Sequence, residues 1–193
     1  MACLALHIAI AKQYLKNNPQ ESSQDFLMGA YLPDETEDSI KSHFGNDGPF
    51  ATVKEMYNAK IDIQKCSNSL DITQSLNRAM FLHLVTDFVF YNFIYSEKLE
   101  QIKTTQVKSL LYEDYNIITN YIIDKYQITI PKPISHLVTS KEGELSDMFF
   151  DYKDIDNFIM FMSKLDLFEC KKQIIKNYHK FQDDCLKKIK KHS

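Results

Sequence analysis

Apolar residues recur at Leu4, Ile8, Ala11 and Leu15, the spacing of one helix face, and the run stops at Asn17-Asn18-Pro19. A first helix over roughly 4–15 follows. Ser22 or Ser23 can cap a short second helix through Phe26 to Tyr31, which Pro33 is expected to close. Residues 33–49 then read as an acidic loop, and Pro49 opens a third helix toward about Gln64. Cys66-Ser67-Asn68-Ser69 reads as a break. A long fourth helix is predicted over about 71–96. Its centre, MFLHLVTDFVFYNFI, is apolar on nearly every side, as in a helix enclosed by others. A fifth helix follows over about 104–126. ITIPKPISH is expected to be extended because of its two prolines, and two last helices fall over roughly 153–164 and 167–190.

Composition sharpens the fold class. Four glycines and five prolines in 193 residues are too few for the turns of a sheet-rich chain, whereas thirteen Phe and eleven Tyr can fill a helical core. The expectation is all-α: a single domain over 1–193, a bundle of about seven helices. No apolar run is long enough to span a membrane, and MACLALHIAIAKQYL lacks a basic segment ahead of its apolar stretch. It reads as the first helix rather than a signal peptide. Cys3, Cys66, Cys170 and Cys185 have no metal-knuckle or redox spacing, and fit core thiols in a reducing compartment, hence a cytoplasmic location.

Net charge is −3, which does not suggest nucleic-acid binding, and no specific nucleic-acid partner is inferred. Residues 171–193 differ from the rest, with eight lysines against Asp183 and Asp184. Such a run usually marks a solvated helix face. It also offers a peripheral contact to a membrane surface.

The sharpest chemical signal lies in the fourth helix. His83 and Asp87 are four residues apart and so share a face, amid its most apolar stretch. A buried charge left unpaired costs several kcal/mol, so the two must pair with each other or share a cation. Imidazole and carboxylate are ligands for zinc, iron and manganese. Further ligands must come from elsewhere: His7, another histidine among apolar residues, and Asp34 and His43 in GAYLPDETEDSIKSHF. Glu35, Glu37 and Asp38 of that segment are expected to face solvent. Glu113 and Asp114 are additional candidates, Asp114 above all, on a helix expected near the fourth. Tyr31, Phe44, Phe90 and Tyr91 are candidates for lining a substrate pocket.

LHIAIAKQYL, FLMGAYLPDETED…KSHF and FLHLVTDFVFYNFI together resemble the zinc-dependent phospholipase C and single-strand nuclease superfamily. They are most similar to a small intracellular branch in Firmicutes-type bacteria. The match covers about the first half of the chain. The resemblance implies an all-α, phospholipase C/nuclease-like fold, with metal ligands His7, Asp34, His43, His83 and Asp87. Asp34, His43, His83 and Asp87 would surround one metal, and Asp87 would bridge to a second that His7 also binds. A hydroxide between them would attack phosphorus, with Asp34 and Asp87 as the catalytic carboxylates. The cofactor expectation is one or two divalent ions, zinc first, with iron or manganese as alternatives. The substrate expectation is a small phosphoester, a phospholipid head group or a nucleotide. The chain departs from the secreted enzymes in having no tryptophan, whose amino-terminal amine they use as a ligand. It also lacks their later HxxxE group, since Glu142 and Glu144 stand at the wrong spacing from His136.

Three other functions fit parts of the pattern. An HD-type phosphohydrolase would need an adjacent His-Asp pair, and none occurs. A degenerate family member would keep the metal, or a buried His–Asp pair, as a staple and bind without turnover. A helical interaction protein would satisfy His83 with Asp87 alone and leave the 33–43 segment without a role.

Overall fold

The computed structural model describes residues 2–46, 48, 59–94, 104–145 and 151–191. They form α1 (Leu4–Asn17), α2 (Ser23–Glu35), α3 (Ser39–Ser42), α4 (Ile63–Ser69), α5 (Ser75–Ile94), α6 (Thr104–Tyr126), a 3-10 helix (Lys132–Leu137), α7 (Tyr152–Met162) and α8 (Leu167–Lys191). The fold is all-α. An isolated antiparallel bridge, Phe44 to Ile61, is the sole extended pairing among the described residues.

Two helices are enclosed rather than amphipathic. Every residue from Leu4 to Ala11 in α1 is buried, and so is every residue from Phe81 to Tyr91 in α5. Phe26, Phe81, Phe90 and Phe158 are fully buried, each worth about 1.5–3 kcal/mol over an exposed side chain. α2 packs along α5 and also against α1. Gly29 makes the first contact possible: a Cβ there would lie 2.2 Å from the Leu76 carbonyl oxygen and 2.9 Å from Ala79 Cβ. α1 also touches α6 and α7, so it is covered from several sides.

Local chemistry redraws several expected boundaries. Pro33 does not close α2 but lies inside it, two residues before the end, where it costs the helix the bond its N–H would have given the Gly29 carbonyl. Asp34 is therefore held by a helix rather than a loop. The expected break at 66–69 is α4, because Asp62 caps it (Lys65 N–H to Asp62 Oδ1, 2.8 Å) and Cys66 is fully buried. α5 starts later than expected, at Ser75, because Asp71 turns its side chain back onto the Thr73 N–H at 3.1 Å. The segment expected to be extended becomes a 3-10 helix from Lys132, since a proline in the first turn needs no N–H partner. α8 is kinked at Asn177 (φ −166, ψ 94), whose Oδ1 accepts the Lys180 N–H at 3.0 Å and caps a second segment. Most of the third helix expected from Pro49 to about Gln64, the end of the fourth beyond Ile94 and residues 146–150 lie outside the described residues. The described end of that third helix does not run on to Gln64, since Ile61 bridges Phe44 and Ile63 opens α4.

No described helix is long and apolar enough to cross a membrane. The lysine face of α8 is partly committed to its own surroundings. Lys171 Nζ donates to the Leu70 carbonyl at 2.6 Å, Lys172 pairs with Glu169 at 3.7 Å and Lys180 pairs with Asp184 at 2.5 Å.

Candidate metal centre

Four elements bring five side chains together. His7 comes from α1, Asp34 from the last turn of α2, His43 from just after α3, and His83 and Asp87 from α5. His7, His43, His83 and Asp87 are at most 2% exposed. The Asp34 side chain retains 11%.

The hydrogen bonds behind the rings fix their tautomers. His83 Nδ1 lies 2.8 Å from the Ala30 carbonyl oxygen. A carbonyl only accepts, so Nδ1 carries the proton and a neutral His83 has its lone pair on Nε2. His43 Nδ1 lies 3.0 Å from Ser42 Oγ, and the Ser42 hydroxyl donates to the Pro33 carbonyl at 2.7 Å. Its one proton is thereby used, so Ser42 accepts from His43 Nδ1–H, and the His43 lone pair is also on Nε2. The two Nε2 atoms face each other at 3.2 Å. Two lone pairs at that distance repel, and a cation between them removes the repulsion: a proton or a metal ion.

The carboxylates complete the convergence. Asp87 Oδ2 lies 3.3 Å from His43 Nε2 and 3.5 Å from His83 Nε2. Asp34 Oδ1 lies 3.6 Å and 3.8 Å from the same atoms. Neighbouring ligands of a tetrahedral ion at about 2.0–2.1 Å stand roughly 3.3 Å apart, close to these separations. Among the described residues, Asp34 Oδ1 and Asp87 Oδ2 are buried without a hydrogen-bond partner. Asp34, His43 and His83 form one group that could hold a metal ion, and His7, His83 and Asp87 form a second. With neutral imidazoles the cluster carries two negative charges, which one divalent ion balances.

Asp87 links the two groups through its two oxygens. Its Oδ1 accepts the Ala2 N–H at 2.5 Å and lies 3.2 Å from His7 Nε2. The His7 ring stacks on His83, with centroids 3.7 Å apart and planes 14° from parallel. Burial pushes the Asp87 carboxyl upward, but the neighbouring His7 charge overcomes it and holds it well below the usual carboxylate range. Burial lowers His7, and the neighbouring His83 charge lowers it further. Burial also acts to lower His83, but the Asp34 and Asp87 carboxylates outweigh it and raise the ring above its ordinary value.

A cavity of about 210 Å³ reaches Asp34 and is bordered by Tyr112, Tyr115, Asn116 and Thr119 of α6 and by the Leu137–Thr139 strand of chain. A larger one, about 650 Å³, lies between α7 and α8 and holds none of the five cluster residues. The smaller cavity is the relevant one, because it touches the chemistry. Tyr31 is half-buried and Tyr91 buried, and neither borders the smaller cavity. Asp114 is buried on α6 outside both metal-holding groups. Glu35, Glu37 and Asp38 are exposed. The residues missed from sequence had a signal: Tyr112, Tyr115, Asn116 and Thr119 fall at helical spacing on one face of α6. No family model, no curated protein and no solved structure matches the chain.

Proposed function

We propose that the chain is a metal-dependent hydrolase of a phosphoester, of the zinc-dependent phospholipase C and nuclease type. The observation that carries this is the face-to-face approach of His43 Nε2 and His83 Nε2 at 3.2 Å, with both Nδ1 atoms already committed. Two nitrogen lone pairs and two carboxylate oxygens at tetrahedral-like separations suit zinc first, and iron or manganese as well. Asp87, with one oxygen toward His7 and the other toward His43 and His83, supports a second ion in the same cluster. A divalent ion held there would acidify a water and draw charge from a phosphoryl oxygen.

The chain's own groups supply the rest. Asp87 stays ionised and fixes the orientation of three imidazoles. Ser42 and the Ala30 carbonyl hold the rings in the ligating tautomer. Asp34 is the cluster carboxylate that borders the cavity, so it can orient a water and accept its proton. The surrounding α1 and α5 exclude bulk solvent and strengthen every electrostatic contact. The four cysteines are free thiols, which supports a reducing, cytoplasmic setting.

Metal analysis of the purified chain, followed by assay on phosphodiesters and phosphomonoesters with added zinc, iron or manganese, tests the proposal. Bound metal with turnover, both lost in His83→Ala, is expected. Absence of metal in the wild type refutes it. A second reading has an observation behind it: four of the five residues are almost wholly buried, as in a structural site. Tightly bound metal without turnover on any phosphoester would favour that staple.

A further inference from the structure

The cluster opens in one direction. Asp34 is its most exposed member, and it borders a cavity. Anything joined to a group held at the cluster must extend into that space.

Resting on the phosphoester reading above, we propose that this cavity seats the organic group of the substrate and selects a compact, uncharged group over one bearing a second anion. Three features carry this. The first is size. About 210 Å³ matches roughly seven waters at about 30 Å³ each, so a group of several heavy atoms fits and a bulky one does not. The second is charge. Among the described residues the lining contains no Lys, Arg or His, and its one acidic residue is Asp34 itself. A carboxylate or second phosphate would find no cationic side chain among those described residues and would face Asp34 across a small space. Lys141, just beyond the lining, turns instead to Glu113 at 3.4 Å.

The third is a fixed wall with one polar handle. The Thr139 hydroxyl donates to Asn116 Oδ1, and the Lys141 N–H donates to the Asn116 carbonyl at 3.0 Å. Both bonds tie the 137–141 segment to α6. The first holds the Asn116 side-chain oxygen toward Thr139, and among the described residues no partner takes its side-chain N–H groups, which can meet a hydroxyl or ether oxygen. Tyr112, Tyr115, Leu137 and Val138 supply the apolar surface.

The test uses the zinc-loaded 193-residue chain, with metal content measured first. It is titrated calorimetrically with inorganic phosphate, phenylphosphonate and phosphonoacetate. Phenylphosphonate is expected to bind at least about tenfold more tightly than phosphonoacetate. Val138→Trp fills the cavity and should weaken phenylphosphonate by a similar factor, with zinc content and phosphate affinity unchanged. Leu137→Lys, at the exposed rim, should strengthen phosphonoacetate several-fold, and it serves as the decisive variant if Val138→Trp does not fold. Equal affinity for the two phosphonates, or variants that leave both affinities unmoved, overturns the inference while the metal reading stands. A wild type that takes up no zinc overturns both.

Discussion

His43 Nε2 and His83 Nε2 approach to 3.2 Å while each ring's Nδ1 faces an oxygen that can only take its proton. The pair is therefore built to share a cation.

Metal should consequently stabilise the fold. A ligand that binds only the native state at 100 times its Kd adds about 2.7 kcal/mol. Zinc is expected to raise the Tm of the wild type, and EDTA to reverse the rise. His43→Ala and His83→Ala should lose the response, measured by scanning calorimetry. A zinc shift retained in either variant would place the ion elsewhere.

Ser42 offers a finer test, because its hydroxyl stands behind His43, on the side of the ring away from the cluster. Ser42→Ala removes the acceptor for Nδ1–H and frees the ring to take the other tautomer. Changes to groups that orient a ligand typically cost about 10–100-fold in metal affinity. The expected result is a loss of that order by competition with a chelator, with stability changed by no more than about 1.5 kcal/mol. Unchanged affinity would remove Ser42 from the positioning set.

His83 and Asp87 were legible in the sequence because charge inside an all-apolar helix demands a partner. His7 and His43 were legible only as members of an ordered set. Asp34 was legible by type but not by setting, since Pro33 argues for a helix end and the helix runs two residues past it. The Ala30 carbonyl behind His83 has no side-chain signature, so no pattern could reveal it. The kink at Asn177 was hidden because the apolar spacing of α8 continues across it. The cavity escaped because its two walls, on α6 and on the 137–139 segment, are joined only by the fold.

The cluster also sets a pH dependence in the metal-free chain. Asp87 is held below its ordinary 3.8, so its stabilisation is full above that value and is lost as pH falls through the folded pKa. His7 is held below 6.5, so the unfolded chain takes up its proton first and stability falls as pH drops beneath about 6.5. His83 has the opposite sign: its raised pKa gives a contribution that is full below 6.5 and lost as pH rises through the folded value. Denaturant midpoints of EDTA-treated protein should therefore fall on the acid side from about 6.5 downward. Asp87→Asn should flatten the lower part of that fall. Zinc affinity should drop as pH falls, because protons compete for the same lone pairs.

Gly29 connects the packing to the site. A methyl group there meets the Leu76 carbonyl at 2.2 Å and Ala79 Cβ at 2.9 Å, both on the backbone of α5 or next to it. Neither can rotate away, so Gly29→Ala must push α2 off α5. That movement separates the Ala30 carbonyl from His83 and carries Asp34 outward with the end of the helix. A cost of about 1–3 kcal/mol is expected from overpacking, together with at least tenfold weaker zinc binding. Gly143→Ala is the control. Its Cβ would meet Ile117 Cδ1 at 3.2 Å, the flexible end of a side chain, so stability should change little and zinc binding not at all. If Gly29→Ala lost stability but kept full zinc affinity, the five ligands would be held independently of the α2–α5 contact.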